Sequence, residues 1–355
     1  YFIFTLVFVA LSNYGLINFK YILSSILFFS LCLSVDIIIQ SFFGSNILGF
    51  KQIADGVNSG FFGKELVAGG YLQRLSIPAL FFLYYLFRNN KNYNSFIFVA
   101  GISLIGIGII LASNRMPLLS FLLGMSLFLL ACKNLRKNIL VGILIVLLSF
   151  VFIFKNHNYT NEKFHSFVGA IERIVRYTGI TISTQVKKVT NEKFEEKPLD
   201  RIYYRKGAGY LELYRAAIYT FKENYVLGNG PKNFFNSCIK INNKFYKLGR
   251  PIDCNRHPHN YYLEILSSLG IIGILFFTFF FYKLCKIFFK EAFNRNINFN
   301  NINNVVFTSS LITLMVELFP LKSSGSFYST GSAIYVFLFM AMMIGTRTGK
   351  SKIKN

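Results

Sequence analysis

Long apolar segments recur along almost the whole chain and constrain its fold more than any other feature. A membrane-spanning helix needs about 20 mostly apolar residues, and nine segments approach that length: 1–17, 21–43, 66–87, 95–113, 116–132, 138–154, 259–282, 304–320 and 331–346. The chain is 53% hydrophobic with a mean hydropathy of +0.45, which is too apolar for a water-soluble protein of 355 residues. The sequence therefore predicts an all-α, multi-pass bundle of transmembrane helices.

A long polar stretch separates the sixth apolar segment from the seventh. We therefore predict transmembrane helices over 1–154, an external loop over 155–258, transmembrane helices over 259–346 and a basic tail over 347–355. Because the chain begins with Tyr1 inside an apolar segment, we expect further spans to precede it in the complete protein.

The external loop is expected to contain short helices. Residues 160–200 are polar and only weakly patterned, whereas "GYLELYRAAIYTFKEN" (209–224) predicts an amphipathic helix. Its apolar stripe has three- and four-residue spacing and consists of Leu211, Tyr214, Ile218 and Phe221. Gly228 and Gly230 in "LGNGPKNFF" are expected to end this helical pattern.

The net charge of +23 has the distribution that is typical of a membrane protein. Short basic clusters alternate with the spans, and they centre on Arg88, Lys133, Lys283 and Arg347. Since Lys and Arg concentrate in short cytoplasmic loops, these clusters predict that residues 155–258 are external. This distribution argues against a nucleic-acid partner. The external loop holds 19 of the 38 basic residues, which suits either acidic lipid headgroups or an anionic substrate.

Two of the five cysteines, Cys238 and Cys254, lie in the external loop, 16 residues apart. Because an external compartment permits disulfides, we expect these two to be bonded. A metal site is less favoured, since neither has a close-spaced second cysteine of the zinc-binding type. The external loop also lacks the motifs of nucleotide-binding and metal-dependent enzymes, and we expect neither metal nor cofactor.

The stretch "CNRHPHNYYLEILSSLGIIG" places two of the four histidines at the mouth of the seventh span. Pro258 suits the first turn of a helix, and the partial positive charge of the N-terminus favours an anion and a neutral imidazole. We expect His259 to lie in this first turn, on the same face as Leu263, and to act as a general base. Gly270 and Gly273 are expected to let another helix approach closely. The alternative is that His259 and Asn260 only cap the helix.

Two arginines are candidates for binding phosphate through their planar set of donors. Arg115 lies in the short external turn "LASNRMPLL", and Arg215 lies on the amphipathic helix. The alternatives are an arginine that reaches lipid headgroups and a solvated helix flank. Asp36 and Glu317, near external ends of spans, could orient arginine or bind substrate, but we favour the interpretation that they reach water.

Four segments carry a resemblance to a known family: "HPHNYYLEILSSLGIIG", "YRAAIYTFKENYVLGNGPKNFF", "LASNRMPLL" and "GFFGKELVAGGYLQRL". Together they resemble the O-antigen ligase and polymerase family of polytopic membrane glycosyltransferases. The first is similar to the family's H-N-x-[YF]-L…GxxG signature, with His259 at the histidine position. The second is similar to R-x-x-x-W…P-x-x-G-x-G-x-x-x-F, with Arg215 matching the arginine. Tyr219 and Tyr225 stand where Trp and Pro are usual.

The resemblance implies a GT-C-like bundle that transfers a glycan from undecaprenyl diphosphate without metal or other cofactor. The acceptor would be lipid A–core for a ligase, which we favour, or another lipid-linked glycan for a polymerase. The site would face the periplasm, in the inner membrane of a bacterium, among membrane lipids. The catalytic residues would be His259, Arg215 and Arg115, and the substrate-binding residues would be Asn260, Gly228, Gly230, Arg256 and His257.

Two other classes of protein remain as alternatives. A polytopic transporter would be expected to have inverted repeats or polar groups at the middle of the membrane, whereas the distinctive polar residues here cluster near the external ends of the spans. A structural or receptor protein would not explain why His259, Arg115 and Arg215 fall on one predicted side.

Overall fold

The computed structural model describes residues 1–54, 56–90, 93–156, 209–247, 254–294 and 299–348. They form eleven α-helices: α1 Phe2–Asn13, α2 Phe19–Phe43, α3 Ala68–Phe87, α4 Asn94–Leu111, α5 Arg115–Ala131, α6 Arg136–Asn156, α7 Gly209–Glu223, α8 Phe234–Lys247, α9 Tyr261–Asn294, α10 Ile302–Glu317 and α11 Thr330–Thr348. Over these ranges there is no β-strand beyond two isolated bridges. The predicted short helices in residues 160–200 lie outside the described residues.

Each of the nine predicted apolar segments contains one helix, and the protein is an all-α polytopic membrane protein. Within the described residues, five helices are long and apolar enough to cross a membrane: α2, α4, α6, α9 and α11. The helix α10 has only 16 residues and includes Thr308, Ser309 and Ser310, all of them buried. Because a helix enclosed by other helices need not match lipid, its composition can be more polar than that of a span at the lipid surface.

The chain divides into two compact units. The larger unit comprises residues 1–160, 278–323 and 327–355, and the smaller unit comprises residues 161–277 and 324–326. The helices α1 to α6, α10 and α11 belong to the larger unit, whereas α7, α8 and the first half of α9 belong to the smaller one.

In the larger unit, polar side chains at one end of α2 hold the connection between α2 and α3. Asp36 is fully buried and accepts hydrogen bonds from the Asn46 side chain (3.0 Å) and the Ile47 backbone amide (3.1 Å). Gln40, also fully buried, accepts from the amides of Ser59 (2.9 Å) and Gly60 (2.8 Å). The expectation that Asp36 reaches water is therefore wrong, because its carboxylate satisfies buried donors of the connection.

Glu317 is also buried, and here too the interpretation of a water-facing carboxylate is wrong. It accepts hydrogen bonds from the Arg74 Nε atom at 3.2 Å and forms an ion pair with Lys322. The Lys322 ammonium also donates to the Gln73 side chain at 3.1 Å. This network joins α3 to the end of α10, and Glu317 orients an arginine other than the two predicted to bind phosphate.

In the smaller unit, α7 packs against α8 through two of its alanines. Ala216, Ala217, Phe234, Cys238 and Ile241 form a buried cluster. Tyr219, Cys254 and Leu263 are partly buried against it.

The predicted apolar stripe of α7 is therefore not its buried face. Leu213, Ala216, Ala217 and Thr220 are buried, whereas Ile218 is 42% exposed and Tyr214 and Phe221 are half-buried. The Leu211 side chain lies outside the described residues. Alanine permits a closer approach of two helices than a large side chain does, and the face with the small residues is the one that packs.

The helix α9 is interrupted at Gly270, which has φ 65° and ψ −159°. The turn between α7 and α8 lies against this break. The amides of Asn229 and Gly230 donate to the carbonyls of Ser267 (3.0 Å) and Ser268 (2.9 Å), and the Ile271 amide donates to the Tyr225 carbonyl (2.9 Å).

The expectation that Gly270 and Gly273 let another helix approach closely is wrong. A Cβ atom built on Gly270 would lie 2.2 Å from the Val226 carbonyl oxygen, and one on Gly228 would lie 2.3 Å from the Ser268 carbonyl carbon. A turn backbone therefore occupies the space at Gly270. For Gly273, the nearest side chain is Leu269 of the same helix.

Candidate functional site

Asn260 is the residue that starts α9. Its side-chain oxygen accepts a hydrogen bond from the Leu263 amide (3.1 Å), and its carbonyl accepts from the Glu264 amide (2.9 Å), as an N-cap residue does. The helix begins at Tyr261. The prediction that Pro258 and His259 lie in the first turn is therefore wrong, because the asparagine cap holds both of them outside the helix.

His259 has a left-handed backbone conformation with φ 56°, which is uncommon for a residue other than glycine. Its carbonyl accepts a hydrogen bond of 2.8 Å from the Ser324 amide. Because the chain turns here, His259 does not share a helix face with Leu263. Strained conformations of this kind persist where the surroundings hold them, and they are concentrated at functional sites.

The imidazole rings of His257 and His259 lie against each other, with ring centroids 4.2 Å apart and an interplanar angle of 51°. The sequence analysis assigned the two histidines different roles, with His259 as the base and His257 as a substrate-binding residue. The structure instead brings the two rings together, although Pro258 separates them in sequence.

Both histidines are half-buried, and burial lowers the pKa of each. A hydrogen bond with the Ser324 backbone acts in the opposite direction on the pKa of His259. Burial and the neighbouring His259 together lower the pKa of His257 to about 4. Burial therefore favours the neutral form of both imidazoles. The sequence analysis had attributed a neutral His259 to the helix dipole instead.

Glu264 is a further ionisable residue of this region that the sequence analysis did not select. It lies in the first turn of α9, is 3% exposed and accepts a hydrogen bond of 2.5 Å from the Ser326 hydroxyl. Segment 324–326 is therefore held by two hydrogen bonds. One joins Ser324 to His259, and the other joins Ser326 to Glu264. The sequence did contain a signal that could have identified Glu264. It is an acidic residue inside a predicted span, where ionisable groups are costly and often functional.

The hydroxyl of Ser324 is also buried, and within the part of the chain that the structure describes it has no hydrogen-bond partner. An unsatisfied buried hydroxyl is costly and calls for an explanation. It belongs to the same residue whose amide is bonded to His259.

Arg215 lies on α7, next to the buried Ala216, and is itself half-buried. Its guanidinium carbon lies 5.9 Å from the centre of the Tyr219 ring. Because Leu263 and Cys254 pack against the same buried cluster as α7, the helix that carries Arg215 is packed onto the segment that carries the histidines.

Cys238 of α8 forms the predicted disulfide bond with Cys254, and their Cα atoms are 5.8 Å apart. The bond connects α8 to the chain three residues before His257. Arg256, in between, is exposed, and its backbone amide donates to the Asn255 side chain (2.7 Å).

Gly228 and Gly230, which were predicted to bind substrate, have positive φ values of 71° and 92°. Both lie in the turn that is bonded to the break in α9. Their positive φ values, and for Gly228 also the close approach of the Ser268 backbone, explain why glycine occupies these positions.

Arg115 belongs to the larger unit. It is the first residue of α5, and only three residues separate it from the end of α4. Ser113 in this turn has φ 57°, and its hydroxyl donates to the Gly56 carbonyl (2.8 Å). The Asn114 side chain donates to the Leu66 carbonyl (3.2 Å), so the turn that presents Arg115 is held by the connection between α2 and α3.

Among the described residues, no group of three or more His, Cys, Asp or Glu side chains could hold a metal ion. A family model described as O-Antigen ligase matches residues 98–278, just over half of the chain. The matched range contains Arg115, Arg215 and His259. No curated protein sequence matches the chain.

Proposed function

Since this chain belongs to the O-antigen ligase family, we propose that it transfers a glycan from undecaprenyl diphosphate to lipid A–core. The family supports a ligase or polymerase type of glycosyltransferase, and the apolar helices make the chain a multi-pass membrane protein. In the proposal the membrane is the bacterial inner membrane and the reaction takes place on its periplasmic face. A donor that is already activated as a diphosphate supplies the driving force, so the proposed reaction needs no nucleotide.

The observation that carries the proposal is the half-buried His259, kept outside the helix by Asn260 and bonded to Ser324. In the proposed step, a neutral imidazole nitrogen of His259 takes the proton from the acceptor hydroxyl. The hydroxyl oxygen attacks the anomeric carbon of the glycan while the bond from that carbon to the diphosphate oxygen breaks. The diphosphate leaves with the electron pair, and the anomeric configuration is inverted.

Arg115 and Arg215 are proposed to bind the diphosphate and stabilise the charge that develops on it. Their guanidinium groups can each donate two parallel hydrogen bonds to phosphate oxygens. More than one fixed cation is needed, because a diphosphate in a partly dehydrated site carries more charge than one arginine neutralises.

The remaining predicted residues are proposed to form the substrate-binding surface around this step. Arg256 and His257 flank the base and would contact the donor or acceptor. Asn260, Gly228 and Gly230 would contribute through the backbone that they hold in place. The buried hydroxyl of Ser324 suits a hydrogen bond to a hydroxyl-rich substrate.

The test of the base is the His259→Ala variant in a strain that lacks the chromosomal gene. We expect glycan transfer to fall by roughly 10²- to 10⁴-fold, which is the usual contribution of a general base. Protein level and the pool of lipid-linked donor should remain unchanged. Asn255→Ala, an exchange at an exposed position of the same segment, is the matched control. Near-normal transfer by His259→Ala would refute the proposed mechanism.

The glycolipid that accumulates in the deletion strain distinguishes ligase from polymerase. Free lipid A–core together with long unattached polymer would support the ligase. Lipid A–core that carries single repeat units would identify the chain as a polymerase, which is the other activity of the family.

A further inference from the structure

The turn between α7 and α8 exposes three consecutive apolar side chains. Tyr225, Val226 and Leu227, which we call the apolar tip, are 60%, 44% and 67% exposed. The residues just before the tip are exposed and polar: Lys222, Glu223 and Asn224. A contiguous exposed apolar patch next to polar residues marks a surface that contacts something other than water.

Backbone hydrogen bonds determine where the apolar tip lies along α9. The Tyr225 carbonyl accepts from the Ile271 amide (2.9 Å), and the Gly230 amide donates to the Ser268 carbonyl (2.9 Å). The tip is therefore level with residues 268–271, well beyond the start of the helix at Tyr261.

This level of α9 lies within the hydrocarbon layer when it is measured from the opposite end of the helix. Lysines at that end, where the membrane surface must lie, are Lys283, Lys286 and Lys290. Ile271 precedes them by 12, 15 and 19 residues, which correspond to roughly 18, 23 and 29 Å of helix. The hydrocarbon core is about 30 Å thick. With Lys283 or Lys286 at the surface Ile271 falls inside the core, and with Lys290 it falls at the far edge of the core.

The surface of α9 at this level is itself apolar and exposed. Leu269, Ile271 and Ile272 are 36%, 42% and 44% exposed, and farther along the span Leu275 and Phe276 are 63% and 72% exposed. No charged residue occurs between Glu264 and Lys283. The apolar tip is therefore continuous with a helix surface whose composition is that of a lipid-facing span.

We propose that the apolar tip is inserted into the hydrocarbon of the same bilayer that α9 crosses. The partner is lipid acyl chains, because the tip continues the exposed apolar surface of a membrane-spanning helix at the same depth. The backbone of the tip suits this environment: Gly228 donates to the Asn224 carbonyl, and the Tyr225 carbonyl is bonded to Ile271. Each of these hydrogen bonds lowers the cost of placing the turn beside lipid, because an unsatisfied backbone group in hydrocarbon costs several kcal/mol.

Insertion of the tip has a consequence for α7. The tip begins two residues after α7 ends at Glu223, so the bilayer would fix the height of that helix above the membrane. Arg215 would then be held at a set distance from the membrane surface whether or not a substrate is bound.

The chain contains no tryptophan, so a single introduced tryptophan reports on its surroundings without further engineering. We would reconstitute the full-length Leu227→Trp protein into phosphatidylcholine vesicles with and without bromine on the acyl chains, which quenches tryptophan fluorescence on contact. Phe276→Trp on α9 is the lipid-facing control, and Lys240→Trp on the exposed face of α8 is the water-facing control.

For Leu227→Trp we expect quenching by brominated lipid of the same order as for Phe276→Trp, at least twofold, and little effect of dissolved iodide. Lys240→Trp should behave in the opposite way. Quenching of Leu227→Trp by iodide and not by brominated lipid would overturn the proposal. Resistance to both quenchers would overturn it as well, because the tip would then be covered by protein, such as a second copy of the chain.

Discussion

At the scale of single residues, the candidate site depends on how His259 is kept neutral. Burial lowers its pKa from an ordinary value of 6.5, and the second imidazole covers part of its surface. A base with a lowered pKa stays unprotonated in more acidic solution than a histidine in water does.

The pH dependence of glycan transfer tests this property. Transfer needs neutral His259, so the rate should be constant through neutral pH and should fall as acid protonates the imidazole. Because the pKa is lowered, we expect the midpoint of this fall below 6.5. In His257→Ala the midpoint should move upward, since loss of the neighbouring ring hydrates His259. A wild-type midpoint at or above 6.5, measured as kcat/KM against pH in vesicles, would contradict the expectation.

Arg215 is tested by an exchange that keeps its charge. Arg215→Lys should reduce transfer by roughly tenfold or more, because lysine loses the paired donors that match phosphate oxygens. The neighbouring Lys222 offers the matched control, since it lies near the same Tyr219 ring at 5.8 Å. Lys222→Arg should leave transfer near normal. Equal activity of both variants would show that Arg215 supplies charge only.

At the scale of helices, the glycine pairing between the α7–α8 turn and the break in α9 is the decisive packing feature. Gly228 and Gly270 have positive φ values, and a Cβ atom on either would lie closer than 2.5 Å to backbone atoms of the other segment. Backbone atoms cannot move aside as a flexible side chain can, so the two segments would have to separate.

We therefore expect Gly270→Ala to destabilise the protein by about 2 kcal/mol or more, from the sum of backbone strain and overpacking. Gly70→Ala is the control, because a Cβ atom there meets nothing within 4 Å and the residue lies in α3. Thermal unfolding in detergent, followed by loss of the monodisperse peak in size-exclusion chromatography, measures the difference. Equal midpoints for the two variants would show that the break in α9 can be remodelled at little cost.

Particular helices show what the sequence could and could not predict. The nine apolar segments each contain a helix because a long apolar run has few alternatives in lipid. The break in α9 was missed because a glycine pair at this spacing also suits helix packing. The buried face of α7 was missed because alanines pack more closely than the larger side chains that dominate an apolar pattern. Glu264 was missed because its partner, Ser326, is distant in sequence.

At the scale of the whole molecule, the orientation in the membrane remains a prediction from the distribution of charge. A reporter fused near Asn191, within the predicted external loop and outside the described residues, should be active as an exported alkaline phosphatase and inactive as a cytoplasmic enzyme. A fusion after Arg347 should give the reverse pattern. Activity of the Asn191 fusion only in the cytoplasm would invert the topology and remove the basis for a periplasmic site.

The interrupted helix α9 also bears on how the chain is made. Three backbone groups at the break are satisfied by residues 225–230, and in lipid each would otherwise be left unpaired at a cost of several kcal/mol. These partners precede α9 in the chain, so they are synthesised before it, and with the predicted topology they would also be translocated before the helix leaves the ribosome. With that topology we expect an order in biogenesis, in which residues 225–230 reach the membrane first and the break in α9 is completed when the helix packs against them.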